Sequence, residues 1–238
     1  MEIDALDSLR IVLDPIGQVG VSLALMLVMF SVALGLRVED FGFLRDKPGL
    51  FLGGVFAQVV VLPLATFALI LVLEPAASIA LGMIVVACCP GGAVSNLLTY
   101  LSRGNVAASV ALTATSSLLA AILTPASILI WSNAYTPTAD LLKTLDVSPL
   151  MFLAQTTFLL ALPLIIGMIV AAKAPDVAKR IRKRTTVLGV SVLVGVIIYG
   201  IAYFYPVLWP ALPLLGTVVV LHNALAFTTG ALAGAALS

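Results

Sequence analysis

A proline followed by two glycines interrupts a long apolar stretch, and two polar residues follow almost at once. The stretch reads Ala87-Cys88-Cys89-Pro90-Gly91-Gly92-Ala93-Val94-Ser95-Asn96. Pro90 removes a helical hydrogen bond and clashes with the preceding turn, and each glycine lowers helix stability by about 1 kcal/mol relative to alanine. The pattern predicts a helix broken near its midpoint. An ordinary proline kink is the alternative, and the Ser95-Asn96 pair favours a binding site.

The two ends of such a break offer different chemistry. Carbonyl groups around residues 87–89 would attract a cation and amide groups around residues 92–94 an anion, because helix termini carry opposite partial charges. In lipid, unsatisfied backbone groups are costly, so a break at mid-membrane persists where it lines a cavity or where an ion or water satisfies them. The predicted substrate-binding residues at the break are Pro90, Gly91, Gly92, Ala93 and Val94.

A second set of polar residues follows the turn at Gly104. Asn96 lies eight residues before this turn and Thr113 nine residues after it, so at about 1.5 Å per residue they should be level on antiparallel neighbours. Hydroxyl and amide oxygens are hard, neutral ligands suited to sodium. A stripe of small residues that lets helices pack closely is the alternative. Four polar residues that follow the turn share one helical face: Asn105, Ser109, Thr113 and Ser116.

Three further polar residues lie inside apolar stretches. Gln58 precedes Pro63 by five residues, and His222 and Asn223 lie in the last apolar stretch. A buried polar residue in a membrane is a functional hypothesis by default, with interhelical hydrogen bonding as the rival interpretation. We therefore predict a role for Gln58 at the site and place His222 and Asn223, with Asn105 and Ser116, in a possible polar cavity.

Composition places these residues in a membrane. Apolar residues make up 62% of the 238 residues and charged residues 10%, with a mean hydropathy of +1.21, whereas about a quarter of a soluble domain is charged. Long apolar runs without backbone partners in lipid must be helices. The sequence predicts an all-α polytopic membrane protein of about seven transmembrane segments, one of them broken. The segments are 16–36, 48–73, 77–103, 105–132, 147–172, 185–206 and 211–237.

The basic residues predict an orientation. With seven crossings, the loops 37–47, 102–105 and 173–184 face one side and hold ten of the twelve lysines and arginines. Basic loops face the cytoplasm, so we predict a multi-pass protein of the cell membrane with its N-terminus outside.

Other functional classes lack support in the sequence. No basic stripe with interleaved aromatic residues indicates nucleic-acid binding, and no nucleophile–base pair or set of metal ligands indicates an enzyme. The adjacent Cys88 and Cys89 define no disulfide framework, and we interpret them as small buried residues rather than redox or metal ligands. We expect no cofactor.

The motif around the break resembles the bile acid/sodium symporter family. The resemblance rests on Cys89 to Asn96, on Thr99-Tyr100-Leu101-Ser102-Arg103-Gly104-Asn105-Val106-Ala107, and on Leu123-Thr124-Pro125-Ala126. It implies a sodium-coupled symporter of an organic anion, such as a bile acid or a small carboxylate, with sodium as the only metal. It also implies a first sodium site formed by Ser95, Asn96, Ser109 and Thr113, and a second site that includes Gln58.

The resemblance further implies a panel domain and a core domain related by inverted repeats. Within one membrane domain, 1–238, helices 16–36 and 147–206 would be panel-like, and helices 48–132 and 211–238 core-like. The family carries a second broken helix with a glutamate shared by both sodium sites, and this chain stops before it. We therefore expect a C-terminally truncated member with an incomplete second repeat and weak or no activity of its own.

Two alternatives stay open. One is a related carrier of the same architecture, for arsenite efflux or proton-coupled carboxylate transport. The other is a non-transporting membrane fragment that only pairs with other helices. The Pro-Gly-Gly-x-x-Ser-Asn block favours the bile acid/sodium branch.

Overall fold

The computed structural model describes residues 15–36, 47–144 and 148–237. The predicted outer N-terminus, most of the basic loop 37–47 and the start of segment 147–172 lie outside the described residues. Within them the chain forms nine helices and no strand. The helices are α1 (Pro15–Ala33), α2 (Pro48–Leu73), α3 (Ala77–Cys88), α4 (Ala93–Leu101), α5 (Val106–Ala134), α6 (Thr136–Thr144), α7 (Pro149–Lys173), α8 (Pro175–Tyr203) and α9 (Tyr205–Leu237).

The helices confirm a polytopic membrane protein. Among the described residues, five helices are long and apolar enough to cross a bilayer, namely α2, α5, α7, α8 and the Leu208–Ala236 part of α9. The other apolar helices, α1 and α3, are shorter. Each of the seven predicted segments overlaps at least one of these helices.

Two boundaries differ from the sequence prediction. Helix α8 begins at Pro175 rather than at residue 185, because a proline is well suited to the first turn and the lysines and arginines that follow are good helix formers. The interval 133–146, which lies between two predicted segments, contains the short helix α6. The charge pattern marks where a segment leaves the lipid, and it does not mark where the helix ends.

The described residues divide into two compact units. The first takes its residues from Val38–Leu153 and Leu214–Ser238, and the second from Arg10–Arg37 and Ala154–Pro213. Each unit has its own packing.

Glycines permit close helix packing in the second unit. A Cβ atom at Gly189 of α8 would lie 3.1 Å from the Cβ of Leu27 in α1, and one at Gly20 would lie 2.9 Å from Val196. Close approach through small residues is the usual way in which membrane helices associate, because lipid provides no hydrophobic driving force between them.

Helix α5 is the central element of the first unit. In its spanning window 39% of the residues are buried, against 22% or less in the other four long helices. Its buried face is made mostly of small residues, which lets the neighbouring helices approach: Ala108, Ala111, Ala114, Ser116, Ser117, Ala120 and Ala121. A separate apolar cluster joins α2, α3 and α9 through Ile70, Ala80, Met83, Ile84 and Val218.

Candidate ion-binding site

The apolar stretch 77–103 is broken at the predicted position. Helix α3 ends at Cys88, the chain is extended at Cys89 (ψ 145°) and at Gly92 (ψ 175°), and α4 begins at Ala93. No side chain caps the first turn of α4 at Gly92. The break therefore presents the carbonyl end of α3 and the amide end of α4, as the sequence predicts.

A tight turn brings α4 back onto α5. Arg103 adopts a left-handed conformation (φ 57°), and the Gly104 N–H donates to the Thr99 carbonyl at 2.8 Å. The Asn105 side chain accepts a hydrogen bond from the Ala108 N–H at 3.0 Å and caps the start of α5. The Asn105 side chain therefore serves as the cap of α5. The next polar residues lie further along that helix.

Oxygen atoms from α4 and α5 meet beside the break. Asn96 Oδ1 accepts hydrogen bonds from Ser109 Oγ at 2.7 Å and from Thr113 Oγ1 at 3.1 Å. Ser95 Oγ lies 3.4 Å from Thr113 Oγ1 and donates to the Gly92 carbonyl at 2.6 Å. We call Ser95, Asn96, Ser109 and Thr113 the oxygen cluster. The structure brings these four predicted residues together.

Thr99 extends the oxygen cluster and was assigned no role from the sequence. Its Oγ1 lies 2.8 Å from the Ser95 carbonyl oxygen and 3.2 Å from Ser109 Oγ. The signal that could have revealed it is its position four residues after Ser95, on the same face of α4.

Gln58 approaches the break from α2. Residues Ala57–Val61 form a π-helical turn inside α2, a feature that is frequent at functional sites. A Cβ atom placed on Gly91 would lie 3.6 Å from Gln58 Nε2, 3.6 Å from Thr113 Oγ1 and 3.8 Å from Ser95 Oγ. The bare face of Gly91 is therefore bordered by polar atoms from α2, α4 and α5.

The carbonyl end of α3 is fixed by α5. Thr124 Oγ1 donates to the Cys88 carbonyl at 2.9 Å, a contact that the sequence did not predict. Beside it lies a cavity of about 20 Å³, enough for one water or small ion by the usual requirement of about 10–15 Å³. Its lining includes Gln58, Val59, Cys88, Cys89, Pro90, Ser116 and Thr124.

The remaining predicted residues lie apart from the oxygen cluster. His222 is buried and its Nε2 lies 3.0 Å from Thr66 Oγ1 in α2, so it forms an interhelical hydrogen bond. Asn223 is exposed and donates to the Val219 carbonyl of its own helix at 2.8 Å. Over the described ranges, no three His, Cys, Asp or Glu side chains come together as a metal site would require.

Comparison with known proteins assigns the chain to a family. Residues 22–205 match the model of the Sodium Bile acid symporter family. The chain belongs to this family. Its relatives include the uncharacterized sodium-dependent transporter YocS of Bacillus subtilis, 34% identical over 213 aligned residues that cover 88% of this chain and 63% of YocS.

Other relatives of the chain come from plants and animals. The probable sodium/metabolite cotransporter BASS2 of rice chloroplasts is 35% identical over 68% of this chain and 37% of its own length. The human ileal sodium/bile acid cotransporter is 29% identical over 90% of this chain and 61% of its own length. The chain thus spans less than two thirds of the length of these relatives.

Proposed function

We propose that the protein is a sodium-coupled symporter of an organic anion, in which the oxygen cluster binds the sodium ion. The observation that supports this most directly is Asn96 Oδ1, which two hydroxyl groups of the neighbouring helix approach to 2.7 and 3.1 Å. Four side-chain oxygens next to a helix break form a group of hard, neutral ligands of the kind that sodium prefers.

Charge balance supports coupling to an anion. Among the described residues, the carboxylates are Glu74 after α2, Asp140 on α6 and Asp176 in the first turn of α8, and none lies within the apolar segments predicted from the sequence. A cation in the oxygen cluster would therefore have no carboxylate beside it among these residues. An anionic substrate at the amide end of α4 would offset its charge, so each ligand would raise the affinity for the other.

The substrate class is an organic anion such as a bile acid or a small carboxylate. The ileal relative is named for bile acid and the chloroplast relative for a metabolite. We further propose that the first compact unit is the core domain and the second the panel domain. Lys173 and the basic residues at the start of α8 would face the cytoplasm, in accordance with the positive-inside rule.

The test is uptake of labelled taurocholate, pyruvate or pantoate into vesicles that contain the chain, with and without an inward sodium gradient. We expect any uptake by this chain to be weak and to depend on the gradient. Equal uptake in both conditions would reject sodium coupling, and dependence on a proton gradient would favour the carboxylate-carrier alternative. Absence of uptake together with absence of sodium binding would favour a non-transporting membrane protein.

A further inference from the structure

The π-helical turn of α2 deprives the main-chain oxygen of Gln58 of its usual donors. Leu62 N–H donates to the Ala57 carbonyl instead of the Gln58 carbonyl, as the wider turn requires. The next position that could serve Gln58 is residue 63, which is proline and has no N–H. The Gln58 carbonyl therefore lacks both the donor of an α-helical turn and the donor of a π-helical turn.

No hydroxyl group of the same helix replaces these donors. Thr66 is the one hydroxyl residue within Pro48–Leu73, and its Oγ1 pairs with His222 Nε2 at 3.0 Å. Backbone groups freed by a proline in a membrane helix are normally satisfied by a hydroxyl, by water or by a local change of helix type. Here the change of helix type is itself what leaves the Gln58 carbonyl without a donor, so a partner from outside the helix is required.

The small cavity at the break supplies room for that partner. Gln58 and Val59, from the π-helical turn, line it together with Cys88, Cys89 and Pro90. The carbonyl end of α3 favours a positive charge at this point. Thr124 also lines the cavity, and because its hydroxyl proton is directed to the Cys88 carbonyl, its oxygen lone pairs stay available to a cation.

We propose that the π-helical turn is a cation-binding element in which the main-chain carbonyl of Gln58 is a direct ligand of a sodium ion in the small cavity. This proposal rests on the sodium coupling proposed above and adds to it. The family resemblance implies a role for the Gln58 side chain, and the inference here concerns its main-chain oxygen, which is usable only because the turn is π-helical and ends at Pro63.

The decisive experiment changes that one oxygen. Exchange of Val59 for α-hydroxyvaline by nonsense suppression turns the Gln58 peptide carbonyl into an ester carbonyl, a poorer electron donor, and keeps every side chain. Sodium affinity of the purified chain in lipid nanodiscs is then measured by calorimetry, with choline chloride keeping the ionic strength constant. We expect affinity to fall about tenfold, as expected for a weakened interaction with a charged group.

The matched control is the same exchange at Val55, one turn earlier in α2, which also removes one helical N–H but alters the Gly54 carbonyl. It should leave sodium affinity unchanged. Unchanged affinity in the Val59 ester would overturn the proposal and leave water as the occupant, and equal losses in both esters would overturn it as a general weakening of α2. If the unmodified chain bound no sodium, the proposed function would fail as well, so the two failures are distinguishable.

A second variant tests the role of the proline. Pro63→Ala supplies the missing N–H and allows α2 to satisfy the freed carbonyl internally, so sodium affinity should fall although all side-chain ligands remain. Pro163→Ala makes the same change inside α7, which belongs to the other compact unit at that position, and should leave affinity unchanged. Sodium binding by Pro63→Ala at the wild-type affinity would contradict the proposal.

Discussion

Thr113 Oγ1 lies 3.1 Å from the side-chain oxygen of Asn96, although 17 residues separate the two in sequence. The contact joins the second half of the broken helix to the continuous helix α5. Ser109 makes a similar bond one turn earlier, at 2.7 Å. These polar contacts hold the second half of the broken helix against α5.

The double substitution Asn96→Ala with Thr113→Ala should abolish sodium binding at the oxygen cluster, while the small cavity keeps its own ligands. It removes two of the four side-chain oxygens in the oxygen cluster, and the freed Ser109 hydroxyl cannot replace them. Sodium titration by calorimetry measures the effect. Asn223→Ala is the control, because this amide is exposed and bonded to its own helix. An unaltered sodium affinity in the double variant would exclude these residues from the site.

Thr115→Val should leave stability unchanged or raise it. The Thr115 hydroxyl is the one buried side-chain polar atom without a hydrogen-bond partner among the described residues, and replacing such a group by a methyl removes a desolvation penalty of about 1–3 kcal/mol. Thr113→Val is the matched control and should lower stability by about 1 kcal/mol, since it loses the bond to Asn96. Unfolding in mixed detergent micelles gives both values, and a marked loss for Thr115→Val would mean that the hydroxyl has a partner.

Gly167→Ala should destabilise the second compact unit. The added Cβ would lie 2.9 Å from the Phe30 main-chain oxygen of α1 and would also crowd Ala33, so α7 must shift at a cost of about 1–3 kcal/mol. Gly195→Ala in α8 is the control, because its Cβ would meet no other atom within 4 Å. There alanine should stabilise the helix by about 1 kcal/mol. Equal melting temperatures for the two variants would contradict the packing described for α7.

His222 and Thr66 should be energetically coupled. A double-mutant cycle with His222→Leu and Thr66→Val removes each partner separately and then both, and the bond at 3.0 Å predicts a coupling of about 0.6 kcal/mol, the average for polar pairs between membrane helices. The free energy of unfolding in detergent is the readout. Strictly additive effects would show that the two side chains do not interact.

Much of the architecture follows from local chemistry in the sequence. The helices follow from long apolar runs that have no backbone partners in lipid, and the break follows from Pro90 and the two glycines after it, whose effect on a helix is steric and local. The level positions of Asn96 and Thr113 follow from counting residues on either side of Gly104. In each case a short-range rule is sufficient.

The rest depends on contacts between helices that residue spacing does not reveal. The π-helical turn at Ala57–Val61 inserts one extra residue into a helix turn, and Pro63 is only an indirect hint of it. Asn105 and Ser116 share a helical face with the oxygen cluster, yet Asn105 caps α5 and Ser116 donates to the Thr113 carbonyl at 3.2 Å. The partner of His222 is 156 residues distant in sequence, and periodicity carries no information about such a pairing.

The Thr124–Cys88 bond has a consequence for movement. The first half of the broken helix is fastened to α5 by this bond, and the second half is fastened to the same helix through Asn96. The gap between the halves is therefore not a free hinge, although its proline and glycines would suggest one. We expect both halves to travel with α5 as a single rigid body, so that any shape change of the protein would bend the chain elsewhere.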